Sequence, residues 1–143
     1  MRSPYNYLDI LHRVLHELMQ AVGFWHEQSR ADRDDYVIMN WNYIEHGKRN
    51  INYKKHNETS MIGEYDLCSV MHYRVGGGAM SLTDKGRKET KCYRKGSHCF
   101  VYENKERCSC WVSGENGIGN GRTFTALDIW KINFFYKDVS KKV

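Results

Sequence analysis

His16, Glu17, Gln20, Gly23 and His26 fall in the run H-E-L-M-Q-A-V-G-F-W-H. Their types and spacing suit one kind of chemistry. On a helix, side chains four residues apart share a face and lie roughly 6 Å apart along the axis. Positions 16 and 20 can therefore converge on one ion at the ~2.0–2.1 Å of a Zn–N bond. Glu17 projects beside that face, where a carboxylate can take a proton from a metal-bound water. Gly23 is suited to end the helix, because glycine enters the left-handed conformation at low cost. The reversal there can return His26 as a further ligand. The run matches H-E-x-x-H-x-x-G-x-x-H at every defined position but one: Gln20 stands where the second histidine belongs.

That exception alters the expected chemistry. Neutral imidazole is a good zinc ligand, whereas a carboxamide oxygen is weak and uncharged. Structural zinc sites are worth ~10–16 kcal/mol over four ligands, so one ligand is worth roughly 3 kcal/mol, or about a hundredfold in affinity. The sequence predicts one zinc ion, weakly held. His12 lies one turn before His16 and offers another imidazole pair. A site there would sit away from the Gly23 reversal and would no longer be flanked by Glu17. His12 reads as a partly exposed helix histidine.

The elements that must position these groups follow from pattern. A helix is predicted over about 8–22, bounded by Pro4 upstream and Gly23 downstream, with Leu11, Val14, Leu15, Leu18, Met19 and Val22 for packing. Tyr36-Val37-Ile38-Met39 is a short strand candidate, and a polar helix is predicted near 48–57. Residues 69–73 read as an irregular turn. Gly76-Gly77-Gly78 reads as a connector, since no phosphate-loop lysine-serine pattern follows it. Residues 81–122 read as a cysteine-rich, glycine-punctuated loop. A second amphipathic helix is predicted over about 125–136, with Leu127, Trp130, Ile132 and Phe134 available for packing.

The run from Leu15 to Val37 resembles the active-site segment of the astacins, a branch of the metzincin zinc endopeptidases. Cys68-Ser69-Val70-Met71-His72-Tyr73 resembles their Met-turn, Asn40 to Ile44 the segment after the zinc helix, and Thr125 to Asn133 the C-terminal helix. The similarity is weakest across 75–120. The resemblance implies zinc as cofactor, a peptide or protein substrate, and an α+β fold: the C-terminal portion of a metzincin catalytic domain spanning 1–143. By position it makes His16 and His26 zinc ligands, Gln20 a substituted ligand position, and Glu17 the general base. Met71 becomes the apolar floor beneath the metal, and Tyr73 an additional ligand that also stabilises the oxyanion. Glu27 becomes a carboxylate that helps to hold a mature amino terminus. In such domains a substrate-binding sheet precedes the zinc helix, and it covers much of that helix's apolar surface. Here the helix begins close to Met1, so the chain is expected to be a fragment or short isoform. Two functions follow as expectations: a zinc metalloendopeptidase with impaired hydrolysis, or an inactive derivative that binds peptides or proteins, a non-functional fragment being the plainest case.

Composition sets outer bounds. The chain has 143 residues, 41% hydrophobic and 27% charged, ordinary for one globular domain or part of one. No apolar run approaches the ~18 residues of a membrane span. The net charge of +5 is dispersed in separate clusters, without the basic stripe that nucleic-acid binding requires. The residues before His16 lack the apolar core of a signal peptide. Cys92, Cys99, Cys108 and Cys110 crowd together without a C-x-x-C, and Cys68 stands apart at the Met-turn. This favours a disulfide-stapled insertion over about 92–110 in a secreted parent protein over a second zinc module. Cys68 is left either paired into it or free. Asn57-Glu58-Thr59 is a glycosylation sequon if the parent is secreted. Arg74 follows the Met-turn and reads as solvated surface.

Overall fold

A computed structural model describes residues 7–56, 61–74, 78–89, 97–102, 105–111, 119 and 123–137. The fold is α+β. Helix α1 (Tyr7–Ala21) leads into a chain of short 3-10 turns, then strand β1 (Val37–Met39) and helix α2 (His46–Asn52). Strand β2 (Met80–Leu82), helix α3 (Asp84–Glu89), strands β3 (Ser97–Tyr102) and β4 (Lys105–Trp111), and helix α4 (Ala126–Tyr136) follow. β1 pairs antiparallel with β2, Val37 opposite Leu82 and Met39 opposite Met80. β3 and β4 form a separate antiparallel hairpin in which Cys99 lies opposite Cys108. The sequon, Cys92 and the first two glycines of the Gly76–Gly78 connector lie outside the described residues.

Two apolar clusters hold the described elements together. Val37, Met80 and Leu82 of the small sheet pack with Tyr65, Leu67 and Cys68. Cys68 is fully buried and disulfide-bonded. Met19 of α1 packs with Val70 and Met71, and Leu15, Phe24, Phe124 and Ile132 close around them. The second cluster joins three distant segments, the end of α1, the turn at 69–73 and α4.

The helix α4 packs only in part as its apolar pattern predicts: Ile132 joins the Met19 cluster. Trp130 and Phe134 stack on each other and stay about half exposed, while Asp128 and Lys131 are buried. The reason is that both charges find partners inside. Thr125 caps the helix: its hydroxyl accepts from the Asp128 amide at 2.9 Å, and Asp128 Oδ2 accepts from the Thr125 amide at 3.0 Å. Asp128 also accepts from Ser69 Oγ at 2.6 Å and from the Val70 amide at 3.1 Å. Burial and the neighbouring Asp66 push its pKa up to about 6.

Two other predicted elements differ. The polar helix starts and ends earlier than 48–57, because the His56 amide donates to the Ser29 carbonyl at 2.8 Å and draws the chain out of helix. The predicted loop at 81–122 contains β2, α3 and the β3–β4 hairpin. Phe100, Val101 and Tyr102 are strand formers, and only Glu103 and Asn104 separate the two strands of that hairpin.

On α1, Ile10, Val14 and Leu18 recur every fourth residue and remain about half exposed, Leu18 at 55%. This apolar stripe faces away from the cluster under Met19.

Asp128 ties α4 to the turn at 69–73. Asp128→Asn turns one acceptor oxygen into a donor facing donors. It should destabilise the fold by about 1–3 kcal/mol. Chemical denaturation of the two proteins measures this, and a change within error would show that these contacts do not bear on stability.

Candidate active site

The end of α1 sets the geometry. Gly23 adopts φ 94°, and its amide donates to the Gln20 carbonyl at 2.9 Å while the Phe24 amide donates to the Met19 carbonyl at 3.1 Å. These paired bonds are the Schellman stop, and they turn the chain back toward its own helix. His26 is thereby returned over α1. Its Nε2 lies 3.1 Å from His16 Nε2 and 2.8 Å from the Gln20 amide nitrogen. Gln20 Nε2 is also 3.1 Å from His16 Nε2. The three side chains form a small triangle of nitrogen atoms.

The turn at 69–73 lies beneath this triangle. His16 Nδ1 donates to the Val70 carbonyl at 2.8 Å, which orients the ring. Met71 is buried below, against Met19 and Val70. The Glu27 amide donates to the Met71 carbonyl at 3.1 Å, and Gln28 Oε1 accepts from the Tyr73 amide at 2.9 Å. Gly119 presses on the far side, so closely that a Cβ there would overlap the Tyr73 carbonyl oxygen. Only glycine permits that approach, and its φ of +74° also favours glycine. Tyr73 is held with its ring centroid 4.5 Å from that of His26 and 5.7 Å from that of Tyr53. Burial, then Tyr53 and Glu17, raise its pKa.

Glu17 is exposed and lines an open cleft of about 380 Å³ with His12, His16, Tyr53, Tyr73 and Arg74. The His12 ring stands 6.0 Å from that of His16 and outside the triangle. Glu27 is buried and engaged within the chain: its Oε1 accepts from Lys131 Nζ at 2.8 Å and from the Asp66 amide at 2.9 Å. Sequence reasoning missed Gln28, Asp128 and Lys131, which place Tyr73, the turn and Glu27. The Thr125-x-x-Asp128 spacing was the one visible signal, since it is a capping pattern.

The donor set matches zinc in two positions. Two Nε2 atoms 3.1 Å apart are close to the edge of a tetrahedron built on ~2.0–2.1 Å bonds. The third position carries a carboxamide whose nitrogen faces inward. Among the described residues no group of three His, Cys, Asp or Glu side chains is placed to hold a metal ion. The set is therefore short of a three-imidazole zinc centre by Gln20.

Residues 8–91 match the family model described as Astacin, a peptidase family. The chain belongs to the astacin family. It is 58% identical over 60 residues to an astacin-like metalloendopeptidase of Mus musculus, covering 42% of this chain and 14% of that protein. It is 52% identical over 68 residues to meprin A subunit beta of Mus musculus, covering 46% of this chain and 10% of that protein. It is 38% identical over 129 residues to zinc metalloproteinase nas-13 of Caenorhabditis elegans, covering 86% of this chain and 23% of that protein. The chain thus spans less than a quarter of the length of these relatives. Its fold is similar to that of high choriolytic enzyme 1, a hatching enzyme zinc-protease of Oryzias latipes. That similarity has a TM-score of 0.57 and 26% identity, covering 88% of this chain and 52% of that one.

Two expected outcomes follow from this astacin-type geometry. Gln20→His supplies a third imidazole at the apex of the triangle and should raise zinc affinity about a hundredfold. Zinc titration against a competing chelator measures it, and equal affinities would place position 20 outside the metal shell. The second concerns acid. Burial lowers the pKa of both His26 and His72 to about 4. His72 is neutral between the Tyr65 hydroxyl at 2.8 Å and the Tyr73 carbonyl. Unfolded histidines titrate near 6.5, so between about 6.5 and 4 the unfolded chain takes up the protons and stability is lost as pH falls. Asp128 acts oppositely, since its raised pKa makes the folded chain the proton acceptor between about 6 and 4. Two histidines outweigh one aspartate. The urea midpoint of the metal-free chain should fall from pH 7 to pH 4.5, and a midpoint that rises would contradict the assignment.

Proposed function

We propose that this chain carries the zinc-site portion of an astacin-type metalloendopeptidase, and that Gln20 leaves its peptide-bond hydrolysis impaired. The observation that carries the reading is the convergence of His16 and His26 above Met71, beside a cleft lined by Glu17 and Tyr73. When bound, zinc supplies a Lewis acid to water and to the scissile carbonyl. The chain's own residues supply the rest. His16 and His26 are two nitrogen positions, with His16 oriented through Val70. Glu17, on the cleft wall, is the base that holds a proton between water and leaving amine. Tyr73, packed on His26, is the further ligand and the phenol that stabilises the oxyanion. A site misplaced by ~1 Å can lose a hundredfold in rate, so one poor ligand position is enough to impair turnover.

The substrate is a peptide or protein, and the setting is extracellular with a disulfide-stapled insertion, in keeping with the disulfide at Cys68. No helix among the described residues is long and apolar enough to cross a membrane. The exposed Ile10–Val14–Leu18 stripe of α1 suits cover by a further part of such a domain. A second reading, an inactive derivative that binds peptides, is favoured by the inward-facing Gln20 amide at the edge of an open cavity lined by Trp25, His26 and His56.

The unmodified chain should show little or no chelator-sensitive endopeptidase activity. Gln20→His should restore it only when the N-terminal sheet portion of an astacin-type domain is joined to the chain. Glu17→Gln in that restored protein should abolish turnover and leave zinc content unchanged, since Glu17 is base and not ligand. Assays on a quenched-fluorescent peptide with metal analysis decide this. Robust chelator-sensitive cleavage by the unmodified 143-residue chain would overturn the impairment.

A further inference from the structure

We infer that Gln20 is a built-in hydrogen-bond closure of this site, its amide NH2 standing at the third ligand position and donating one N–H to each imidazole. The argument begins at Val70. Its carbonyl takes the proton on His16 Nδ1 at 2.8 Å, which leaves His16 Nε2 as a bare lone pair pointing into the triangle. A neutral ring can offer only one N–H, so the tautomer is fixed by that bond. An amide oxygen 3.1 Å from Nε2 would set lone pair against lone pair. The amide nitrogen therefore belongs there, as the structure has it.

His26 completes the count. The Gln20 nitrogen is 2.8 Å from His26 Nε2. Were His26 Nε2 protonated, its N–H would turn to the His16 lone pair at 3.1 Å, and the Gln20 nitrogen at 2.8 Å would face a nitrogen with no lone pair to offer. With its lone pair inward, His26 accepts. Two imidazole lone pairs face an amide nitrogen that carries two protons, so each acceptor receives one donor. The imidazole nitrogens lie 3.1 Å apart; with both lone pairs inward no proton stands between them, and the amide relieves their repulsion.

This differs from a merely weak ligand. A metal ion uses the same two lone pairs, so binding it requires the amide to leave both. Turning the carboxamide to present Oε1 to an ion forfeits both hydrogen bonds at once. Gln20 then acts as an occupant that metal must displace. An alanine at position 20 would neither donate nor ligate, so the two roles predict opposite effects of truncation. The inference stands apart from the function proposed above, which needs only that position 20 hold a metal poorly.

The test uses the full chain in the presence of chelator. Long-range 1H–15N spectra should show His16 as the Nδ1–H tautomer, Nε2 of both rings unprotonated, and a Gln20 side-chain NH2 that exchanges more slowly than a free amide. Added zinc should return that NH2 to free-amide behaviour. A protonated His26 Nε2, or a Gln20 NH2 already exchanging freely without metal, would overturn the closure. Independently, Gln20→Ala should bind zinc at least as tightly as the parent by competition titration. A loss of about tenfold or more would make Gln20 a ligand and overturn the inference. The spectra are taken on the unmodified chain, so they decide even if the variant fails to fold. Failure of Gln20→His to gain zinc affinity would sink the metal reading and leave the closure standing.

Discussion

The buried polar belt between α4 and the turn at 69–73 is the constraint on which the site depends. Asp128 accepts from Ser69 and Val70, and Thr125 Oγ1 donates to Asp66 at 2.5 Å. Lys131 reaches Glu27, whose carboxylate also takes the Asp66 amide. Each charge has given up water and is offset by buried partners, which include Arg30 at 3.4 Å from Glu27 and the Cys68 amide at 2.9 Å from Asp66. Removing one partner of such a buried pair typically costs ~3–5 kcal/mol, because the other charge is left stranded. The belt thus fixes a single arrangement of segments that the apolar cluster around Met19, Val70 and Met71 also joins.

That arrangement is what turns a helix with two histidines into a site. Val70 sets the ring of His16 only because Asp128 and Ser69 hold its backbone. Tyr73 is aimed by Gln28 on one side and Gly119 on the other. The Gly23 stop delivers His26, and the Glu27 amide then pins the returning chain to Met71. Oriented ligands of this kind rest on their hydrogen-bonded supports as much as on the ligands themselves. The one discordant member is Gln20, set among supports that suit an imidazole.

The local parts of this design were legible in the sequence. The helix, its glycine stop and the spacing that brings positions 16, 20 and 26 together are all short-range consequences of residue type. The long-range parts were not. Nothing in the pattern around Gln28 marks it as a buried acceptor for Tyr73, since a glutamine between Glu27 and Ser29 reads as surface. The apolar pattern of α4 offered Leu127, Trp130, Ile132 and Phe134 for packing; Ile132 joins the Met19 cluster, while Trp130 and Phe134 stay about half exposed and the buried positions are Asp128 and Lys131. Periodicity counts apolar residues and is blind to charges that have found buried partners. The β3–β4 hairpin was hidden for another reason, its strand formers being interrupted by cysteines and charges.

The reach of the belt along the chain bears on how the protein is made. His16 is synthesised before the turn at 69–73, and Lys131 after it. At ~5–20 residues per second, roughly 5–25 s separate the first histidine from the lysine that closes the belt. During that interval α1 can form, yet the chain at 69–73 has no Asp128 to hold it, and Glu27 has Arg30 beside it but not Lys131. The nascent site is thus a pair of histidines without a floor until the last helix docks. A chain that ends before Thr125 keeps the histidine-bearing helix α1 but lacks the Asp128 and Lys131 contacts that hold the turn and Glu27.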